Sequence, residues 1–259
     1  MENKKKYKIR VFKLTFITVL FFLSACNSES ANDCFQSAGK MVKEERSVQP
    51  FTKILVNEGI SMVIKQGETY KVEVESGKNL LNDITAEVID GQLILTNENV
   101  CNYVRDYELT TFYVTAPEIE EIRSATQREI RSDGVLNLES LMVYSENWSE
   151  NEYLTSGDLY LNLNVNSFRM VFNGLSNIHL TGSASSLNIN MASGNGRFEG
   201  ENFMVENAQV YHRGSNDLIL NVQNSLKGNI YSTGDIVLVS RPETVEVEEH
   251  YQGRLVYRD

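Results

Sequence analysis

The chain has 259 residues, 41% of them apolar and 23% charged, with only three prolines and sixteen glycines. This excludes a collagen-like or disordered chain and leaves room for one large domain or two small ones. The formal net charge is −11, and it becomes −16 once the first 25 residues, which hold six basic residues and one acidic residue, are set aside. Such a surface repels nucleic-acid phosphates, so no nucleic-acid partner is expected, and it favours neutral, cationic or cation-bridged ligands.

The N-terminus has its own pattern. Lys4, Lys5, Lys6, Lys8 and Arg10 precede the uncharged run LTFITVLFFL, which is followed by Leu23-Ser24-Ala25-Cys26 and the polar stretch NSES. The run is about half the roughly 20 residues that a membrane-spanning helix needs. A basic segment, a short apolar run and small residues before a cysteine are the order of a lipoprotein signal peptide. Residues 1–25 are therefore expected to be removed, with Cys26 carrying the lipid and residues 26–45 serving as tether. The plainer alternative is an ordinary secretory signal with a chance cysteine. Three acyl chains on Cys26 exceed the two signals needed for stable anchoring, so the expected membrane partner is reached through lipid.

After the tether come short β-branched runs at 51–57, 59–65, 70–75, 84–89, 92–96 and 109–115. Turn residues separate most of them, among them Asn57-Glu58-Gly59, Gln66-Gly67-Glu68 and Asp90-Gly91. They read as a β-strand meander, with Asp90-Gly91 as a hairpin turn. Cys34 and Cys101 lie in the exported part, where thiols oxidise. A Cys34–Cys101 disulfide is expected there, two free thiols being the alternative.

Residues 147–158, NWSENEYLTSGD, read as an insertion loop. Beyond it the chain repeats: glycines at 174, 194, 214, 234 and 253 are 20, 20, 20 and 19 residues apart. Each interval holds an alternating strand, a glycine turn and a second alternating strand. A propeller blade needs about twice that length, whereas one coil of a β-solenoid fits. The expectation is an all-β chain, a β-helix-like solenoid with about 20 residues per coil. Its glycines are expected at corners with φ > 0. An antiparallel meander with evenly spaced hairpins is the competing arrangement.

Several segments resemble the head GIN domain of auto-transporter adhesins: FTKILVNEGISMVIKQG (51–67), KNLLND (78–83), DGQLIL (90–95) and the corners Ser193-Gly194-Asn195-Gly196 and Thr233-Gly234-Asp235. The likeness covers residues 46–259, which are taken as the domain. It implies a right-handed β-helix-like fold on a Bacteroidetes-type envelope lipoprotein. It carries no catalytic motif. Ser28-Glu29-Ser30 resembles the surface-export signals of such lipoproteins, which favours the cell surface over the periplasm for an outer-membrane lipoprotein. Asn173-Gly174-Leu175 and Gln252-Gly253-Arg254 depart from the family's corners.

The candidate chemistry is sparse. His179, His212 and His250 fall at different offsets from the corner glycines and do not form one column, so no metal site is expected. No cofactor motif and no nucleophile elbow is present, and the acidic residues are scattered, except that Glu246 and Glu248 share a strand face. No enzyme is expected. The possible ligand surface is Trp148 and Tyr153 in the loop, whose rings suit sugar faces, together with His212, Arg213, Asn216 and Asp217 at the most polar corner. The expected role is a binding or adhesin-like module for a glycan or protein. The alternatives are a polysaccharide lyase or hydrolase on the same scaffold, or a structural envelope protein.

Overall fold

The computed structural model describes residues 33–99, 101–103, 105–106 and 109–258. Cys26 and the signal segment lie outside them. The N-terminal part holds β1 (Met41–Arg46), β2 (Lys53–Val56), β3 (Ser61–Gln66), β4 (Lys71–Gly77), β5 (Ile84–Ile89), β6 (Gln92–Asn97), β7 (Thr111–Ala116), β8 (Glu121–Ser124) and β9 (Ile130–Ser132). The longer strands follow: β10 (Leu136–Ser145), β11 (Leu159–Phe172), β12 (Asn177–Met191), β13 (Arg197–His212) and β14 (Leu218–Ile230). Three short ones end the chain: β15 (Ile236–Leu238), β16 (Thr244–Glu249) and β17 (Leu255–Tyr257). The fold is all-β, and all these strands belong to one sheet that folds back on itself.

From β10 onward neighbouring strands pair in parallel. Leu159 lies opposite Ile178, Ile178 opposite Phe198, Phe198 opposite Leu218, Leu218 opposite Ile236 and Ile236 opposite Leu255. Alternate residues of a strand face one side, so a fixed register stacks like upon like. A second column runs Ile122, Val143, Met170, Ile189, Val210, Gly228, Val247. Most members of both columns are fully buried and belong to one apolar core. Between β10 and β11 the partners Leu136 and Leu163 are 27 positions apart, against 19 for Leu159 and Ile178. The difference is taken up by the loop expected at 147–158.

The N-terminal part is not the expected meander. β2 pairs in parallel with both β6 and β8, and β3 with both β7 and β9. Ile54 thus extends the second column to Leu93, and Met62 joins Phe112 to Ile130 in the first. β2 and β3 are apolar on their inner faces, and entering the stack adds those faces to the common columns while giving each strand a partner on both edges. Among the described residues antiparallel pairing is confined to β1–β4, β4–β7 and β5–β6. The β5–β6 turn is the expected one, with Asp90 and Gly91 both at positive φ (50° and 77°), the conformation of a tight type I′ hairpin. Residues 41–45, read from composition as tether, are the start of β1. Backbone bonding to β4 holds this strand although its own sequence, MVKEER, buries little.

The repeat glycines stack on one flank. The Asn195 N–H donates to the Gly174 carbonyl (3.0 Å), the Ser215 N–H to that of Gly194 (3.0 Å) and the Gly234 N–H to that of Gly214 (3.2 Å). Of the five, only Gly194 has φ > 0, at 92°. The general need is space: a Cβ on Gly234 would lie 2.1 Å from the Asn216 carbonyl oxygen, and one on Gly253 2.2 Å from that of Gly234. Cys34 and Cys101 are joined as expected, with their Cα atoms 4.5 Å apart across a separation of 67 residues. No described helix is long and apolar enough to cross a membrane.

Two outcomes follow from this packing. Gly234→Ala forces the corner apart and lowers stability by about 1–3 kcal/mol, read as a fall in the urea midpoint at unchanged slope. Reducing the disulfide releases a long loop in the unfolded chain and costs about 4 kcal/mol in the chain-entropy account, measured by the same titration with and without reductant.

Candidate functional site

The glycine flank carries both parts of the expected ligand surface. The loop is fastened at its start by Glu146, only 5% exposed. Its carboxylate accepts the Trp148 N–H (2.7 Å), the Ser149 N–H (3.2 Å) and the Ser149 hydroxyl (2.9 Å), and pairs with Arg123. Arg123 in turn lies over the Tyr144 ring. Burial raises the Glu146 pKa, but the hydrogen bonds from Arg123, Ser149 and the two backbone amides outweigh it and hold the group below the ordinary value. Further along, Asn147 accepts from Asn173 (2.9 Å) and the Thr155 carbonyl accepts the Leu175 N–H (2.7 Å). The loop therefore rests on the corner at 173–175, with Trp148 56% exposed and Tyr153 half-buried.

Two strand spacings further along, about 10 Å, lies the corner at 213–217. Arg213 is exposed there. Asn216 and Asp217 are half-buried and both accept hydrogen bonds from Arg197 (3.2 and 3.1 Å), so they brace the flank as much as they face solvent. His212 departs from the expectation. It is 0% exposed and continues the inward column Phe172, Met191, His212, Ile230. It cannot touch a ligand at the surface, because in a strand the alternation that puts Val210 inside puts His212 inside too. Its Nδ1 accepts the Gly214 N–H (3.4 Å). Burial pushes its pKa down to about 4, partly opposed by the nearby charges of Asp217 and Asp235. The other two histidines are stacked flat on tyrosines, His179 on Tyr160 (4.5 Å) and His250 on Tyr231 (4.3 Å). Among the described residues no three potential metal ligands converge.

The larger concavity was not singled out by sequence reasoning. An open groove of about 990 Å³ crosses the outer face of β11–β14 and β16. One column of its lining runs Arg169, Asn188, Gln209, Lys227, Glu246, and the next Asn190, Tyr211, Asn229, Glu248. The signal was present in the sequence as polar residues alternating with the inward apolar ones at the same offset in successive repeats. Only its last member, the pair Glu246 and Glu248, stood out without the register. Lys227 meets Glu246 at 3.0 Å and His250 meets Glu248 at 3.5 Å, so neither carboxylate stands alone.

A family model described as "Putative auto-transporter adhesin, head GIN domain" matches residues 50–242. Several solved structures share the fold. A "putative adhesin" from Bacteroides fragilis superposes with a TM-score of 0.75 at 15% identity, over 86% of this chain and 99% of that one. A "putative adhesin" from Parabacteroides distasonis gives 0.64 at 15% identity over the same shares, 86% and 99%. A "putative lipid binding protein" from Parabacteroides distasonis gives 0.54 at 16% identity, over 84% and 97%. No curated protein matches the chain.

The buried histidine makes stability depend on pH. Its folded pKa of about 4 lies below the ordinary 6.5, so the unfolded chain binds the extra proton first as pH falls. Its contribution is complete above 6.5 and is lost between 6.5 and about 4, a loss on the order of 3 kcal/mol. Urea midpoints from pH 7 to 4 are expected to fall more steeply for the natural chain than for His212→Met, which keeps the column apolar.

Proposed function

The chain belongs to the auto-transporter adhesin head GIN domain family, and from that membership we propose that it is a lipid-tethered, adhesin-like binding module of the cell envelope. In this reading the stacked strands form a right-handed β-solenoid with coils of about twenty residues. The parallel registers of 18 to 20 positions at the head of each strand, and the stacked glycine flank, support it. A scaffold of this kind keeps its inward columns for stability and leaves its outward face for recognition.

The observation that carries the proposal is the continuity of the outer surface. The loop with Trp148 and Tyr153, the corner with Arg213, Asn216 and Asp217, and the amide-lined groove are all built on one rigid stack. The outward residues are held by backbone ladders on both sides, so little ordering entropy remains to be lost on binding.

The address follows from the N-terminus. Cys26 carries the lipid, and the Cys34–Cys101 bond ties the chain to the domain eight residues later. The stretch from Cys26 to Cys34 spans at most about 29 Å even when extended. In this reading the domain stands close to the outer membrane, and Ser28-Glu29-Ser30 supports the cell-surface side, with the flank and groove open to neighbouring material.

The test uses cells and the whole protein. Metabolic labelling with a fatty acid is expected to mark the natural chain but not Cys26→Ser, and external protease is expected to remove the protein from intact cells. Purified full-length protein is expected to release no reducing ends from acidic polysaccharides. Label retained by Cys26→Ser, full protection from protease, or turnover would each contradict the part of the reading it addresses.

A further inference from the structure

The geometry points to the groove over β11–β14 and β16 as a binding site for an uncharged, linear glycan laid across the strands. This rests on the binding-module reading and adds the ligand class and the place. The first argument is chemical. Asn188, Asn190, Gln209 and Asn229 line the groove at register-matched positions of neighbouring strands. With Asn188 Nδ2 bonded to Gln209 Oε1 and Asn229 Oδ1 bonded to His250, the Asn188 carbonyl and the Gln209 and Asn229 amino groups are left to meet sugar hydroxyls, which need both acceptors and donors. Strands in a sheet are about 4.8 Å apart, comparable to the step between successive pyranose rings. A linear chain crossing the strands therefore meets an amide on each of β12, β13 and β14.

The second argument is the aromatic edge. Tyr211 lines the groove and is 39% exposed. Its ring lies 5.2 Å from that of Tyr231, which stacks on His250 at 4.3 Å. The strip is tied to the groove, because His250 Nε2 bonds Asn229 Oδ1 at 2.9 Å. Three rings in a row beside a band of amides give a sugar both an apolar face to lie on and polar groups to orient it.

The third argument is charge. The groove's four ionic residues, Arg169, Lys227, Glu246 and Glu248, sum to zero on a chain that is otherwise strongly acidic. Lys227 is already paired with Glu246. A uronate chain finds no surplus of positive charge there, and a polyamine chain finds no surplus of negative charge.

The test is binding of the full-length protein in detergent to three kinds of hexamer. These are neutral (cellohexaose, laminarihexaose and mannohexaose), anionic (hexagalacturonate) and cationic (the glucosamine hexamer). At least one neutral hexamer is expected to bind with little dependence on salt. Tyr211→Ala is expected to weaken it about tenfold, the size of one aromatic contact, and Gln209→Ala to weaken it measurably, both with unchanged thermal midpoints. Glu87→Ala, on the exposed side of β5, is the control and is expected to bind as the natural chain does, while Trp148→Ala reports on the flank. Preference for the anionic or cationic hexamer overturns the ligand class. Loss on Trp148→Ala with no effect of the groove variants moves the site to the flank and leaves the binding-module reading standing. No binding of any hexamer overturns the inference, while the labelling and protease results still decide the module reading on their own.

Discussion

Parallel backbone pairing at a nearly constant register constrains everything else in this molecule. Once Ile178 is set opposite Phe198, and Phe198 opposite Leu218, each inward side chain must fit the one above and the one below. The apolar columns are the result, and so is the demand for small residues at the corners, where the backbones of successive layers come closest. The register is not perfectly rigid. In β13 the offset changes between the partners of His179 and Thr181, and two irregularities separate β13 from β14. The extra residues at 201–202 are exposed, while Phe203 turns inward and meets Phe168 edge-on at 5.9 Å. A bulge that delivers a large aromatic to the core offsets the ladder bonds it interrupts.

This constraint separates stability from recognition. Inward positions are fixed by their neighbours, so the titratable one among them, His212, is held neutral by burial and left as a weak point toward acid. Outward positions are fixed only in place. They carry the amide and tyrosine columns of the groove, the exposed Arg213 and the loop seated by Glu146. Within β10–β17 the longest departure from regular spacing, the loop at 147–158, is accommodated at a corner, and the columns continue across it. The same division explains how chains with about 15% identity keep this fold.

Much of the fold was legible in the sequence because a repeat leaves its period in view. The glycines at 174, 194, 214, 234 and 253, the alternation around them and the Asp90-Gly91 turn all correspond to structural features. The order of the N-terminal strands was not legible: β2 and β3 look like hairpin strands, and only long-range pairing places them inside the stack. The reason for the glycines was also hidden, since crowding by the next layer's carbonyls cannot be told from a need for positive φ by composition. His212 was misplaced because its neighbours Arg213 and Ser215 are polar, although counting by twos from Val210 puts it inside. The groove is assembled from residues about twenty positions apart, and no local motif announces it.

The most direct measurement of the central claim is a cross-link across the stack. Asn188 and Gln209 face each other on adjacent parallel strands, with Asn188 Nδ2 donating to Gln209 Oε1 at 3.3 Å, and Lys227 lies one strand further on. Neighbouring strands bring Cα atoms within the range a disulfide spans, whereas two spacings, about 10 Å, do not. The double variant Asn188→Cys, Gln209→Cys is expected to oxidise to a 188–209 disulfide with the folded signal retained, and Asn188→Cys, Lys227→Cys to keep both added thiols free. Free thiols in the first variant, or ready closure of the second, would mean that the strands do not stack in parallel at this register.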